Sequence, residues 1–269
     1  MKKNIKELLQ TKLEKLKIWN SEVTIFPERW WHIMSCIINW TELFYQGMYK
    51  TEELLKEWHK PKWWMPYMFP NAWPMPKNWK YSQLPQHGFW RLDKYSKAKS
   101  DIKNSLNTKL NFNKPEEFTY KWTINNNISI DKNDWSVIFD QEILNLSEKE
   151  MPISTWLHPY FRIPNWVKKS EIKFLFEWWK KIESELENWE NTLFLDNPWT
   201  PLKIKIPWIW IITIEVSDEY RRLWIWTLPW KDFVCIEPVM WDPWNLEGNP
   251  VVISGFWVNR NFMKLSLEK

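Results

Sequence analysis

Glycine is nearly missing from this chain: 4 stand in 269 residues, where average usage near 7 % would supply about 19. Cysteine is scarce too, with 2 residues, Cys36 and Cys235. Each lies in an apolar, strand-like run and neither belongs to a CxxC pair. That excludes a disulfide framework and fits a reducing, cytoplasmic setting. No apolar run approaches the roughly 18 residues of a membrane-spanning helix, and no signal peptide is recognisable, so no membrane partner is expected. Histidine is limited to His32, His59, His87 and His158, dispersed without ligand spacing, so no metal site is expected. Phosphate-cradling glycine loops of the P-loop or dinucleotide type are absent.

What is present is an ordinary globular balance with one anomaly. Charged residues make up 26 % and hydrophobic residues 44 %, ample for a core. The net charge of +4 is modest. Much of the excess sits in Lys2, Lys3, Lys6, Lys12, Lys15 and Lys17, with no basic stripe carrying interleaved aromatics, so nucleic acid is not an expected partner. The anomaly is 26 tryptophans, many standing where glycine belongs. Trp40, Trp79, Trp166 and Trp189 follow asparagine, and Trp199, Trp208, Trp230 and Trp244 follow proline. With glycine in their place these pairs become Asn-Gly and Pro-Gly, among the strongest turn signals. Such turns often need positive φ, which costs a residue with a Cβ about 1–2 kcal/mol. Ten such sites would consume most of a typical stability of about 5–15 kcal/mol. The expectation is that most of these tryptophans are glycines written from UGA codons, and that the written chain is not the natural one.

Residues 1–18 place Ile5, Leu8, Leu9, Leu13 and Leu16 at helical spacing, which predicts a short amphipathic helix and an N-terminal extension over 1–19. From Val23 onward the pattern turns to short β-rich runs: 23–26, 33–38, 110–112, 118–124, 128–130, 136–146, 154–158, 172–176, 202–206, 211–216, 223–227, 233–237 and 258–267. Many short strands joined by turns, without alternating helices, predict an all-β, large antiparallel β-sandwich over residues 20–269. Residues 59–91, rich in Pro, Asn and Lys, form a loop long enough to carry function.

Three stretches carry chemistry. Pro85-Gln86-His87-Gly88-Phe89-Trp90-Arg91 combines an amide, an imidazole and a guanidinium around a glycine that permits close backbone approach. Leu157-His158-Pro159-Tyr160-Phe161 holds an imidazole between a buried leucine and a Pro-Tyr-Phe corner, which suits a proton donor near neutral pH; a histidine satisfied inside the core is the other reading of that stretch. Phe233-Val234-Cys235-Ile236-Glu237-Pro238 ends an apolar strand in a carboxylate, where desolvation raises a carboxyl's pKa toward that of a working base.

Together these stretches resemble the aldose 1-epimerase (galactose mutarotase-like) family, especially its glucose-6-phosphate 1-epimerase-like branch. That family runs Arg-Gly-Gly-x-Pro…Phe-Pro, then Pro-Gln-His-Gly-Phe-Ala-Arg, then Gly-Leu-His-Pro-Tyr-Phe, and ends in a Trp-Thr…Glu-Pro element. This chain has Lys62-Trp63-Trp64-Met65-Pro66…Phe69-Pro70, then Pro85 to Arg91, then Trp156 to Phe161, and last Trp226-Thr227…Glu237-Pro238, in matching order across roughly residues 20–265. Trp63, Trp64 and Trp156 stand at glycine positions of the pattern, Trp226 at a tryptophan position and Trp90 at an alanine position. Lys62 replaces an arginine, which keeps the charge and loses the bidentate fork. The resemblance implies a β-supersandwich with its site on a concave face, and interconversion of the α and β anomers of a hexose or hexose 6-phosphate. It implies Glu237 as base and His158 as acid, with His87, Gln86, Arg91, Lys62 and Asp196 binding the sugar. Both steps are proton transfers, so no cofactor is implied. A carbohydrate-binding protein on the same fold would keep Gln86 and Arg91 without needing the acid and base.

Overall fold

The computed structural model describes residues 12–27, 32–47, 65–89, 95–98, 104–112, 116, 118–175, 193–196, 201–240 and 246–268. Twenty strands carry the fold among them. The first six are β1 (Glu14–Ile18), β2 (Ser21–Phe26), β3 (His32–Ile38), β4 (Thr41–Glu42), β5 (Tyr67–Met68) and β6 (Ser96–Ala98). Then come β7 (Ser105–Phe112), β8 (Trp122–Ile130), β9 (Val137–Asn145), β10 (Met151–Ile153), β11 (Trp156–Leu157), β12 (Tyr160–Arg162), β13 (Lys173–Phe174) and β14 (Leu193–Asp196). The chain closes with β15 (Leu202–Ile206), β16 (Trp210–Val216), β17 (Arg222–Trp226), β18 (Phe233–Val239), β19 (Val251–Ile253) and β20 (Val258–Glu268).

Two large antiparallel sheets dominate. The first has eight strands in the order β13-β15-β16-β20-β9-β8-β7-β6. The second runs β14-β17-β18-β11-β5, with β12 also paired to β18. A four-stranded sheet, β1 to β4, and the β10-β19 pair complete the set. The cause is visible in the alternation. Along β9 the residues Val137, Phe139, Gln141, Ile143 and Asn145 are buried and those between are half-buried, the period-2 signature of a sheet with one face on a core. One continuous apolar cluster takes Ile124, Phe139, Ile212 and Leu265 from the eight-stranded sheet and Leu157, Phe161, Leu223, Ile225, Val234 and Ile236 from the six-stranded one. The second sheet therefore spends one face on the core and keeps the other for the site.

Two expectations from sequence are corrected. The helix predicted over residues 1–18 is not what residues 14–18 form; they are strand β1, paired with β2, while residues 1–11 lie outside the described residues. Leu16 is buried, and Lys15 and Lys17 reach across the hairpin to Glu22 at 3.0 and 3.3 Å. Cross-strand pairing thus overrides a weak local helical period. The interruption predicted at 125–127 is also absent, because β8 runs through all three asparagines. Asn126 faces inward and accepts a hydrogen bond from Gln141 at 3.2 Å, while Asn127 donates to Asp140 at 3.1 Å. Partners on β9 thus engage one polar atom of each side chain that would otherwise favour a turn.

A close approach joins the loop before residue 90 to the second sheet. Gly88 has φ +62°, and a Cβ there would lie 1.8 Å from the Phe69 carbonyl oxygen. Only glycine fits. Gly88→Ala is expected to cost about 1–2 kcal/mol in dihedral strain alone, with the backbone clash adding to it. The midpoint of urea unfolding should fall accordingly, and an unchanged midpoint would contradict the packing described.

Candidate active site

Strand β18 builds the floor of the site. Alternation sends Val234 and Ile236 into the core and Phe233, Cys235 and Glu237 to the opposite face. On one side, β12 sets Tyr160 opposite Cys235, and β11 sets Trp156 opposite Val239. The same register, carried across the break at Pro159, leaves His158 opposite Glu237. On the other side, β17 sets Trp224 opposite Glu237 and Trp226 opposite Cys235. Adjacent rows thus read His158–Glu237–Trp224 and Tyr160–Cys235–Trp226. The loop that ends at Gly88 roofs these rows with Gln86 and His87, and the result is a pocket of about 290 Å³, the lower end of small-molecule sites.

The dyad at its centre is close. His158 Nδ1 lies 3.1 Å from Glu237 Oε1. Glu237 is 2 % exposed and His158 9 %, so the contact sits in a low-dielectric environment where it is stronger than at a surface. The imidazole is clamped by rings. Tyr160 stacks on it at 4.5 Å between centroids with planes 17° apart, and Trp226 meets it edge-on at 5.9 Å. The Tyr160 hydroxyl also lies 3.2 Å from His158 Nε2.

Cys235 shares this neighbourhood: ligand atoms of His158, Cys235 and Glu237 all lie within 4.8 Å of one another. Two strands bring them together, which is why no sequence spacing pointed to the cluster. Burial, reinforced by the Glu237 charge, pushes the Cys235 thiol well above its ordinary pKa.

Of the residues singled out in sequence, Gln86, His87, His158 and Glu237 line one pocket. His87 adopts φ +71°, the left-handed region. Lys62 and Arg91 lie outside the described residues. Asp196 is in β14, in register with Arg222 of β17. Sequence reasoning missed the aromatic walls, Trp73, Trp156, Trp224 and Trp226, and the role of Tyr160 as a lining residue. The alternation Arg222, Trp224, Trp226 was the available signal for one of those walls.

No family model and no curated protein matches the sequence. Solved structures do match. The Slr1438 protein from Synechocystis sp. PCC 6803 superposes with a TM-score of 0.81 at 18 % identity, over 94 % of this chain and 94 % of that one. A galactose mutarotase-like protein from Clostridium acetobutylicum gives 0.71 at 14 % identity, over 96 % and 98 %. A galactose mutarotase related enzyme from Lactobacillus acidophilus gives 0.73 at 16 %, over 96 % and 97 %. The fold is the galactose mutarotase-like one. Among the described residues no helix is long and apolar enough to cross a membrane.

Proposed function

We propose that the protein is an aldose 1-epimerase acting on a hexose or hexose 6-phosphate, with Glu237 as base and His158 as acid. The observation that carries this reading is the 3.1 Å contact between His158 and Glu237. Opening a pyranose at its anomeric centre takes a proton from the C1 hydroxyl and gives one to the ring oxygen. Both oxygens are bonded to the same carbon, so the acid and the base must themselves be neighbours. Glu237 accepts the hydroxyl proton as the C1–O5 bond breaks, and His158 donates to O5. The open aldehyde turns about C1–C2, and closure reverses both transfers on the other face. The aromatic walls suit a sugar's apolar C–H faces, and Gln86 and His87 supply hydrogen bonds to its hydroxyls. Lys62 and Arg91 are the proposed contacts for a 6-phosphate, and Asp196 a contact for a hydroxyl.

Anomer exchange followed by polarimetry or NMR should exceed the buffer rate for glucose 6-phosphate, glucose or galactose. His158→Asn and Glu237→Gln should each slow it at least about 10²-fold. Comparing kcat/KM for glucose 6-phosphate and glucose, in wild type and Arg91→Ala, assigns the phosphate contact. Binding of these sugars with exchange left at the buffer rate would identify a carbohydrate-binding protein and overturn the enzymatic reading.

We further infer that many of the tryptophans are glycines in the living cell, with UGA read as glycine. Of nine non-glycine residues at positive φ among the described residues, five are tryptophan: Trp19, Trp40, Trp135, Trp208 and Trp210. Their turns ask for glycine by type. Residues 39 and 40 form the two-residue loop between β3 and β4, and both have positive φ, 50° and 66°, the setting that prefers Asn-Gly. Pro207 and Trp208 follow β15 with φ +67° at Trp208, a Pro-Gly setting. Trp166, Trp208 and Trp230 are 66 %, 77 % and 92 % exposed. Trp156 is buried, yet its indole N–H finds no acceptor among the described residues, at a cost of about 1–3 kcal/mol. Trp226, by contrast, packs against His158, Tyr160 and Phe233, as a genuine tryptophan should. The native protein should therefore be lighter than 33.4 kDa by one tryptophan-to-glycine difference per recoded site, with UGA in the gene. UGG codons and a mass at the calculated value would end the inference.

A further inference from the structure

We propose that Tyr160 is a positioning residue for His158, keeping Nε2 of the imidazole hydrogen-bonded in both protonation states until a sugar's ring oxygen takes its place, with Glu237 facing Nδ1. The geometry has three parts. His158 and Tyr160 are two residues apart and share a face, so their rings lie side by side, 4.5 Å between centroids and 17° from parallel. The phenol oxygen is 3.2 Å from Nε2, in a buried setting, and Glu237 Oε1 is 3.1 Å from Nδ1 on the other side of the ring. Tyr160 itself is 3 % exposed and wedged by Phe233 at 5.0 Å and Trp226 at 6.0 Å. The phenol cannot swing away without dislodging those rings.

A hydroxyl is the one neutral side-chain group that serves a nitrogen which alternates between acceptor and donor. Toward neutral imidazole the phenol O–H donates to Nε2. Toward imidazolium it turns and accepts from Nε2–H. Glu237, acceptor-only when ionised and 3.1 Å from Nδ1, favours a proton on that nitrogen by its charge. In the sugar-free pocket the buried Nε2 would otherwise lose its hydroxyl partner in one of its two protonation states, at a cost of about 1–3 kcal/mol. The ionisable groups that face the imidazole are Glu237 and Cys235 from β18, Tyr160 from β12 and His87 from the loop. Of these, Tyr160 places a hydroxyl oxygen, able to donate or accept without changing charge, 3.2 Å from Nε2.

The bond to imidazolium is charge-assisted and stronger than the bond to the neutral ring. Removing the phenol oxygen should therefore lower the imidazole pKa. The experiment is 15N NMR of histidine-labelled protein, with the His158 signals assigned by their loss in His158→Asn. In Tyr160→Phe, which keeps the ring stack, the His158 titration should move down by about 0.5–1 pH unit. Replacement by 3-fluorotyrosine, which keeps the hydroxyl and its volume, weakens the phenol as an acceptor. It should move the titration the same way by less, and it serves if the phenylalanine variant does not fold. Kinetically, Tyr160→Phe should lower kcat about five- to tenfold with KM within about twofold. That arm rests on the epimerase reading; the NMR arm does not. A shifted titration in a protein without anomer exchange would retain the positioning role and remove the epimerase. A His158 titration identical in wild type and both variants would remove the positioning role, whatever the activity.

Discussion

A buried carboxylate facing a buried imidazole is the constraint around which the second sheet is arranged. Isolated, the Glu237 charge would be expensive to keep at 2 % exposure; paired at 3.1 Å it is tolerable, and removing one partner of such a pair typically costs about 3–5 kcal/mol. The pairing demands a register that cannot slip, since a one-residue shift would turn Glu237 into the core and Ile236 into the pocket. Hydrogen-bonded neighbours on both sides of β18 prevent that slip, with β12 and β11 on one side and β17 on the other. Pro159 has its place in the same logic. It lacks an N–H to give to a ladder, so it divides β11 from β12, and its carbonyl still accepts from Ile236 N–H at 3.4 Å.

Rigidity then follows from position. Glu237 sits within β18 and His158 on the two-residue link between β11 and β12, where packing locks rotamers, while Gln86 and His87 sit on a loop tied to the segment after β5. One of the ties is at Gly88, whose missing Cβ allows Phe89 N–H to reach the Phe69 carbonyl at 2.9 Å. The strained φ of His87 is held by the same anchor, with its own N–H on the Ala72 carbonyl at 2.8 Å. Loop and sheet are thereby held together through backbone contacts that no side-chain pattern records.

How much of this was legible in the sequence depends on whether the determinant is local. Strands such as 202–206 and 233–239 announce themselves because β-branched and apolar residues recur over short runs. Their ends fell within a residue or two, as β15 and β18 show. His158 was conspicuous because it sits at the corner between β11 and β12, and Glu237 because it is an ionisable residue in an apolar run; the strand expected to end at Glu237 runs on to Val239. Failures came where a distant strand decides. Leu13 and Leu16 fit a helical period, and only the hairpin partner at Glu22 to Ile25 reveals that 14–18 is extended. Asn125 to Asn127 look like a turn until β9 supplies Asp140, Gln141 and Glu142 as partners. The cluster of His158, Cys235 and Glu237 was invisible for the same reason, since it exists only once β12 lies against β18.

The anomalous tryptophans divide along the same line, and the division says which parts of the site depend on their identity. At two-residue hairpin loops and after Pro207, the backbone demands positive φ whichever residue is written there, so the fold is set by strand pairing and the indoles are carried outward into solvent. Within the pocket the case differs. Trp156 and Trp224 meet at 5.0 Å between ring centroids with planes tilted by 57°, and Trp73 meets Trp224 at 5.5 Å. Those indoles occupy the wall beside the row that holds His158 and Glu237. Glycine at 156 and 224 would leave bare backbone there and enlarge the cavity toward Arg222, which stands two residues before Trp224 on the same face. The placement of His158 against Glu237 would not change, because it rests on the pairing of β11 and β12 with β18, and backbone pairing does not consult the side chain at 156. The identity of these residues therefore governs the size and shape of the pocket, while the dyad's geometry follows from the register alone.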